Sequence, residues 1–455
     1  MGLGVQVDDR VFRKIGFRIL PFLAICYIAA IVDRFNLGFA KLQFAKDLNI
    51  GEDAFGLAAG LFYASYVLLE VPSNYFLTRV GIRITLVRIM VIWGAITVAF
   101  AFATRAVDLY VLRFLLGAAE AGFFPGILFY LTLWFPDSMR GRMSSLFVMA
   151  VPIGGIIAGP LSGLIMDRFE GLAGFHGWQW LFVIEGVPTI VLGLTAYRTL
   201  ANDPQQAGWL TDAEKRFVAQ RVERDGGSRS PERRFLDAFK SGRVYLLAAI
   251  YFAYYSSLNV LLTWTPTLLK RVGNGTSTEI GIRSGIISLM AAIGMYLIGR
   301  NSDRMRERRW HIALCGLTAS GSMFLLPLGS ENIEVTMLLL TSASVTTFSI
   351  LSLFWTIPSS YLSGAAVAAG IALIGAIGTS AGAFASAFVG WMITQTGSAY
   401  MAFTVVGIAN TLGMLLLVLF VPKQRADTPE ITMSPTPMSA DADGTSEVGV
   451  ARLHN

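Results

Sequence analysis

Residues 16–38 read GFRILPFLAICYIAAIVDRFNLG. A helix of about 20 apolar residues crosses the ~30 Å hydrocarbon layer of a membrane, and this run is long enough to do so. Arg10, Arg13, Lys14 and Arg18 stand before or within its start, as in a secretory signal. The run is too long for one and lacks a small-residue cleavage site, so it reads as a retained first spanning helix.

Working outward, comparable runs lie at 54–76, 84–104, 107–132, 143–166, 179–198, 244–268, 280–299, 311–328, 335–361, 364–392 and 399–421, which makes twelve. Composition agrees: 54% of the 455 residues are hydrophobic, 15% are charged and the mean hydropathy is +0.59. A soluble domain carries about 25% charged residues. The expected fold is an all-α integral membrane protein of twelve transmembrane helices. Cys26 and Cys315 lie in separate apolar runs, and His176, His311 and His454 are scattered. Neither a disulfide framework nor a metal site assembles from these.

Residues 199–242 are polar and rich in Arg, Asp and Glu, and residues 422–455 are rich in Pro, Ser, Thr and Asp. The predicted organisation is a six-helix bundle (1–198), a cytoplasmic linker (199–242), a second bundle (243–421) and a disordered cytoplasmic tail (422–455). Most Lys and Arg fall in the loops on the N-terminal side, which predicts both termini to be cytoplasmic. Because the +6 net charge is spread over those loops, it needs no nucleic-acid partner. NYFLTRVGIR (74–83) and GRNSDRMRER (299–308) each follow the second helix of a half, so the six helices occur twice. Two pseudo-symmetric bundles around a midplane site is a common transporter plan.

An ionisable side chain within the membrane costs roughly 2.5–3.5 kcal/mol on insertion scales, and is a functional candidate for that reason. The first half carries Asp33, Arg34, Glu70, Arg113, Glu120 and Glu185, whereas the interiors of the last six runs, Arg283 near the start of 280–299 aside, carry none. Asp33 and Arg34 differ by ~100° around a helix and face different neighbours. Tyr27 shares the Arg34 face, and that phenol–guanidinium stripe suits a carboxylate. Helix direction puts Arg34 and Arg113 at similar height, with Glu120 ~10.5 Å deeper than Arg113 on the same face. The expectation is that Asp33, Arg113 and Glu120 form a proton-coupling group and leave Arg34 free for substrate. The competing reading of each is a structural ion pair. Glu70 and Glu185, beside Pro72 and Gly186, read as packing or gating, and Asp303 as a latch.

In the second half Tyr251 and Tyr255 share a face, followed by Asn259 and Trp264, and Trp355 lies in the tenth run. These line a cavity or pack a core. The eleventh run, GIALIGAIGTSAGAFASAFVG (370–390), is dense in small residues, which points to close helix contact and then to a hinge. There is no GxxxxGK[ST], G-x-S-x-G or HExxH, so neither ATP-driven work nor an enzyme is indicated.

Arg18-x-x-Pro21, Tyr27, Asp33-Arg34-x-Asn36 with Ala40, Glu70-x-Pro72-Ser73-Asn74, Arg113, Gly117, Glu120, Pro125 and GPLSG (159–163) together carry a resemblance over roughly residues 10–422. The chain resembles the major facilitator superfamily, and within it the anion:cation symporter family of bacterial permeases for tartrate, phthalate, hydroxyphenylacetate and sugar acids. The resemblance implies that Asp33 and Glu120 bind protons, that Arg113 partners Glu120, that Arg34 holds the substrate carboxylate and that Tyr66 lines the cavity. Departures are Thr78 in place of a common Asp, Gly375 and Thr379 in place of Asn, and Ser386-Ala387 in place of Gly-Pro.

The expected protein is therefore a monomeric, proton-coupled symporter of the inner membrane. It imports a small organic anion (a mono- or dicarboxylate, aromatic acid or sugar acid) by alternating access, with the proton as coupling ion and no other cofactor. Substrate-binding candidates are Arg34, Tyr27, Tyr66, Tyr251, Tyr255, Asn259 and Trp355, and proton-coupling candidates are Asp33, Glu120 and Arg113. The rivals are a proton-coupled transporter of a neutral sugar or drug and a non-transporting membrane sensor.

Overall fold

The computed structural model describes residues 2–225, 240–361 and 366–422. Twelve helices within it have the length and composition of membrane spans: α1 (Arg10–Asp47), α2 (Glu52–Val80), α3 (Ile82–Phe100), α4 (Ala106–Trp134), α5 (Ser138–Arg168), α6 (Gly177–Thr199), α7 (Gly242–Gly273), α8 (Ser277–Met305), α9 (Arg309–Gly329), α10 (Ile333–Pro358), α11 (Gly370–Thr396) and α12 (Ala399–Phe420). Each matches one apolar run of the sequence and most overrun it. An apolar count stops at the first charges, whereas backbone hydrogen bonding continues through them. Part of the polar stretch, Asp212–Asp225, is a further helix, held to the start of α1 by Lys14 Nζ donating to Glu214 at 2.8 Å. Residues 226–239 of the expected linker and the expected tail from 423 onward lie outside the described residues.

Packing repeats when six is added to each helix number. α1 packs on α5 and α6, α2 on α4, and α3 on α4 and α6; correspondingly α7 packs on α11 and α12, α8 on α10, and α9 on α10 and α12. Across the halves α2 meets α11 and α5 meets α8, each being the image of the other. These are the two pseudo-symmetric six-helix bundles.

Interruptions follow the same symmetry. α4 breaks between Glu120 and Phe123, where Gly122 takes φ +86°, a conformation that a side chain disfavours. Its counterpart α10 is interrupted at Trp355. α5 is interrupted at Met149, and its counterpart α11 at Ser380. Broken helices in corresponding positions mark the midplane site in many transporters, because a break frees backbone polar groups only where a cavity or protein can satisfy them.

The halves are clamped at the end of the bundle opposite the start of α1. There Gly56 on α2 and Gly390 on α11 approach with Cα atoms in register, and Gly159 on α5 meets Gly281 on α8. A Cβ on Gly159 would lie 2.5 Å from Gly281 O. Polar bonds accompany this contact. Asp53 N donates to Thr394 Oγ1 at 3.1 Å, and Asp167 accepts from Ser277 N and Thr278 N at 3.2 and 2.7 Å, capping α8. Lys41 on α1, buried between the rings of Phe55 and Trp264 at 4.4 and 4.0 Å, is paired with Glu52. It also donates to Thr267 Oγ1 on α7 at 3.3 Å. Arg271 of α7 completes the bridge to Glu52 at 2.9 Å.

Asp303 is less far-reaching than the sequence suggested. It lies in the last turn of α8 and its partner is Arg308 just beyond that helix, which leaves it a local brace.

Candidate substrate and proton site

Arg34 lies about one turn before the end of the first predicted run, and its guanidinium is directed at α4. Its Nε and Nη2 both donate to Glu120 Oε2, at 3.1 and 2.7 Å. Glu120 is fully buried as the last residue before the break in α4, while the Arg34 side chain keeps 20% of its surface exposed. The second oxygen, Oε1, is buried without a hydrogen-bond partner. This corrects the expected arrangement: Arg34 is not free, and Arg113 is not the hydrogen-bonded partner of Glu120. Arg113 and Glu120 lie in the unbroken segment Ala106–Glu120, two turns and ~10.5 Å apart, and it is Arg34 of the neighbouring α1 that reaches the carboxylate.

Arg113 instead lies over the face of Phe62, 4.7 Å from the ring centroid, with its Nε unpartnered. Arg34 lies over the same ring at 5.6 Å and over Tyr66 at 5.4 Å. The two guanidiniums are thus at one height, as helix direction predicted, and share one aromatic ring. Tyr66, which the resemblance names as cavity-lining, lies under the Arg34 guanidinium. Phe62 was missed, although its spacing of four from Tyr66 puts both on one face of α2.

Asp33 points away from Arg34, as the ~100° step around the helix requires. It accepts from Thr97 Oγ1 on α3 at 2.9 Å and from Asn36 Nδ2 at 3.4 Å, and its Oδ2 has no partner. Asn36 Nδ2 also donates to Glu185 Oε2 on α6 at 2.8 Å, and Ser162 Oγ of α5 lies 3.3 Å from Glu185 Oε1. The expected trio is therefore only partly assembled. Asp33 joins Glu185, a residue the sequence reading assigned to packing or gating, in a buried polar cluster next to the Arg34–Glu120 pair.

The remaining candidates divide. Tyr27 lies within Coulomb range of Arg34, and no hydrogen bond joins the two among the described residues. Its ring stacks on Phe147 at 4.7 Å and packs against Phe123 and Phe124, since the curved aromatic face of α4 and α5 covers that side of α1. Tyr251, Tyr255 and Trp355 do converge. Tyr251 lies 4.9 Å from Trp355 and 5.8 Å from Tyr255, and Tyr255 meets Tyr63 across the halves at 6.2 Å. Only glycine fits at 378, because any Cβ there would overlap the Tyr251 ring. Asn259 is turned inward and joined to Ser386 of α11, which makes it a tie within the second half.

The arrangement offers one carboxylate-binding fork already occupied by an internal carboxylate, a second guanidinium over the same ring, and an aromatic wall contributed by both halves. Among the described residues no group of three His, Cys, Asp or Glu is placed to hold a metal ion.

A family model described as Major Facilitator Superfamily matches residues 23–386. Over 393 residues the chain is 40% identical to a putative metabolite transport protein, NicT, of Pseudomonas putida, which covers 86% of this chain and 90% of that one. It is 38% identical to a putative tartrate transporter of Agrobacterium vitis (87% and 88% covered) and 37% identical to a quinolone resistance transporter of Acinetobacter baumannii (90% and 95%). Among solved structures, the partially occluded inward open conformation of the xylose transporter XylE from E. coli matches with a TM-score of 0.70 at 15% identity, covering 90% of this chain and 98% of that one.

Proposed function

Since the chain belongs to the major facilitator superfamily and is a multi-pass membrane transporter, we propose that it imports a small organic carboxylate together with protons by alternating access. The observation that carries this reading is the Arg34–Glu120 pair. A carboxylate substrate needs the fork that Glu120 holds, so it binds only when Glu120 lets go. A proton on Glu120, at its unpartnered Oε1, removes the charge that makes it a competitor. Substrate then takes Arg34 above Tyr66 and Phe62, and Tyr255, Tyr251 and Trp355 close on its uncharged part. Neutralised in this way, the site lets the halves rock about it. Loss of the proton restores the internal pair and expels the anion.

In this reading the termini are cytoplasmic, the protein works as a monomer in the inner membrane and the proton is its only coupling partner. The clamped end then faces outward, so the state described is closed to the outside. Relatives named as tartrate transporters support an acidic substrate.

The test is uptake of labelled mono- and dicarboxylates, tartrate among them, into proteoliposomes under an imposed inward proton gradient. Gradient-driven uptake of an acid, lost in Arg34→Ala and insensitive to the gradient in Glu120→Gln, supports anion symport. The quinolone resistance relative motivates a second reading, drug export. Proton-driven movement of a quinolone or a neutral sugar in Arg34→Ala, with no acid moved by the parent protein, would establish that rival instead. Binding of an acid without flux would point to a sensor.

A further inference from the structure

The first half buries three carboxylates at its centre, Asp33, Glu120 and Glu185, but only two guanidiniums, Arg34 and Arg113. Glu120 is matched by Arg34 at 2.7 Å. Arg113 has Asp33 and Glu120 within Coulomb range. Glu185 is left over. No basic side chain bonds to it among the described residues, and the charged group that faces it is another carboxylate, Asp33 of α1. The other helices packed against α6 at this level, α3 and α5, present the hydroxyls of Thr97 and Ser162 and no ionisable group. A buried carboxylate charge without a counter-charge costs several kcal/mol, and two carboxylates sharing one site do not both stay ionised.

The amide of Asn36 leaves two carboxylate oxygens untouched, Glu185 Oε1 and Asp33 Oδ2, and of the two acids only Asp33 has a counter-charge, Arg113, within range, which puts the extra proton on Glu185. Asn36 Nδ2 has two hydrogens and donates one to Glu185 Oε2 and one to Asp33 Oδ1. Both of those oxygens are acceptors. Glu185 Oε1 faces only the hydroxyl of Ser162 at 3.3 Å, a group that accepts as readily as it donates. An amide donor placed between the two carboxylates also disfavours a metal cation there, since its N–H groups point where such an ion would need oxygens.

We infer that Glu185 is a third proton-binding site of the transporter, carrying its proton on Oε1 toward Ser162 Oγ and linked to Asp33 through Asn36. This rests on the proton-coupled reading above and extends it. The ceiling on coupled protons rises from the two set by Asp33 and Glu120 to three. Ser162, within the GPLSG stretch, becomes a positioning residue for that proton.

Infrared spectroscopy of the purified full chain in lipid nanodiscs tests this without any substrate. The expected result at neutral pH is a carboxylic-acid C=O stretch that moves on exchange into D₂O and disappears in Glu185→Gln. If Glu185→Gln does not fold, Ser162→Ala serves alone: it should keep the band and raise its frequency by removing the acceptor. Absence of the band at neutral pH, its persistence in Glu185→Gln, or an unmoved band in Ser162→Ala overturns the inference. The two readings fail separately. A Glu185 band with no proton-driven uptake of any acid refutes the transport reading, whereas proton-driven uptake with no such band refutes only the third site.

Discussion

Arg34 gives both Nε and Nη2 to a single oxygen of Glu120, at 3.1 and 2.7 Å, and the other oxygen of that carboxylate is buried with nothing bonded to it. The pair is therefore one protonation away from release. Replacing the carboxylate by an amide removes the charge assistance from bonds worth roughly 1.5–3 kcal/mol, about half of which is lost. Glu120→Gln should bind the transported acid about tenfold more tightly at neutral pH and take it up at a rate indifferent to the proton gradient. Arg34→Lys, which keeps the charge and loses the fork, should lower uptake about tenfold or more. Unchanged affinity and an intact gradient dependence in Glu120→Gln would remove the competition mechanism.

Glu52 joins Lys41 of its own half to Arg271 of the other, and Lys41 is caged between Phe55 and Trp264. Removing the partner of a fully buried charge costs about 3–5 kcal/mol, but Glu52 keeps 27% of its side-chain surface exposed, so the loss here is nearer ~1–2 kcal/mol after solvent screening. Glu52→Gln should therefore shift the population about tenfold toward a state open at this end. A cysteine placed at Thr265, which is buried beneath the clamp, would be alkylated by a water-soluble maleimide about tenfold faster in that background. Equal labelling rates would mean the bridge holds nothing closed.

The clamp also shows where sequence reading reaches its limit. Hydrophobic runs located all twelve helices, because covering ~30 Å of hydrocarbon demands that length of apolar residues, and isolated charges located Asp33, Arg34, Arg113 and Glu120. Lys41, Glu52 and Arg271 were passed over because each lies just outside a run that was ended at its first polar residues: 16–38, 54–76 and 244–268. Which charge pairs with which was not legible either. Pairing depends on how neighbouring helices are rotated against one another, which leaves no trace in periodicity. The rings packed on Tyr27 were not legible for the same reason, since a shared stripe on α1 does not say that α5 lays Phe147 over it. Glu185 was noticed and set aside, and only the position of Asn36 between it and Asp33 gives it a role.

Gly159 and Gly281 bring the backbones of α5 and α8 together with no side chain between them. A methyl group on Gly159 would sit 2.5 Å from a carbonyl oxygen that cannot swing aside as a side-chain tip can. Overpacking of this kind costs typically about 1–3 kcal/mol, and opening this end relieves it. Gly159→Ala should thus fold, and bind the acid, but turn over about tenfold or more slowly because the closed state is penalised. Spin labels on α5 and α8 at the clamped end should report a longer distance than in the parent protein. Uptake at the parent rate with an unchanged distance would show that the helices have more room than the contact implies.

His176 caps the start of α6 at the same end. Its Nδ1 lies 3.0 Å from Glu170 Oε1 and 3.7 Å from Asp47 Oδ2. The hydrogen bond to Glu170 raises its pKa above the ordinary ~6.5, slight burial opposes this, and the charge of Asp47 adds to the rise. A raised folded-state pKa means that the protonated ring stabilises the fold. That contribution is complete below ~6.5 and fades as pH climbs through the higher folded-state value. The parent protein should accordingly unfold at a higher temperature near pH 6 than near pH 8.5 by an amount that His176→Gln loses, while the two proteins converge at the alkaline end. Comparing the pair cancels every other group that titrates over this range. Parallel pH profiles for the two would show that the His176–Glu170 contact contributes nothing to holding the end of the bundle together.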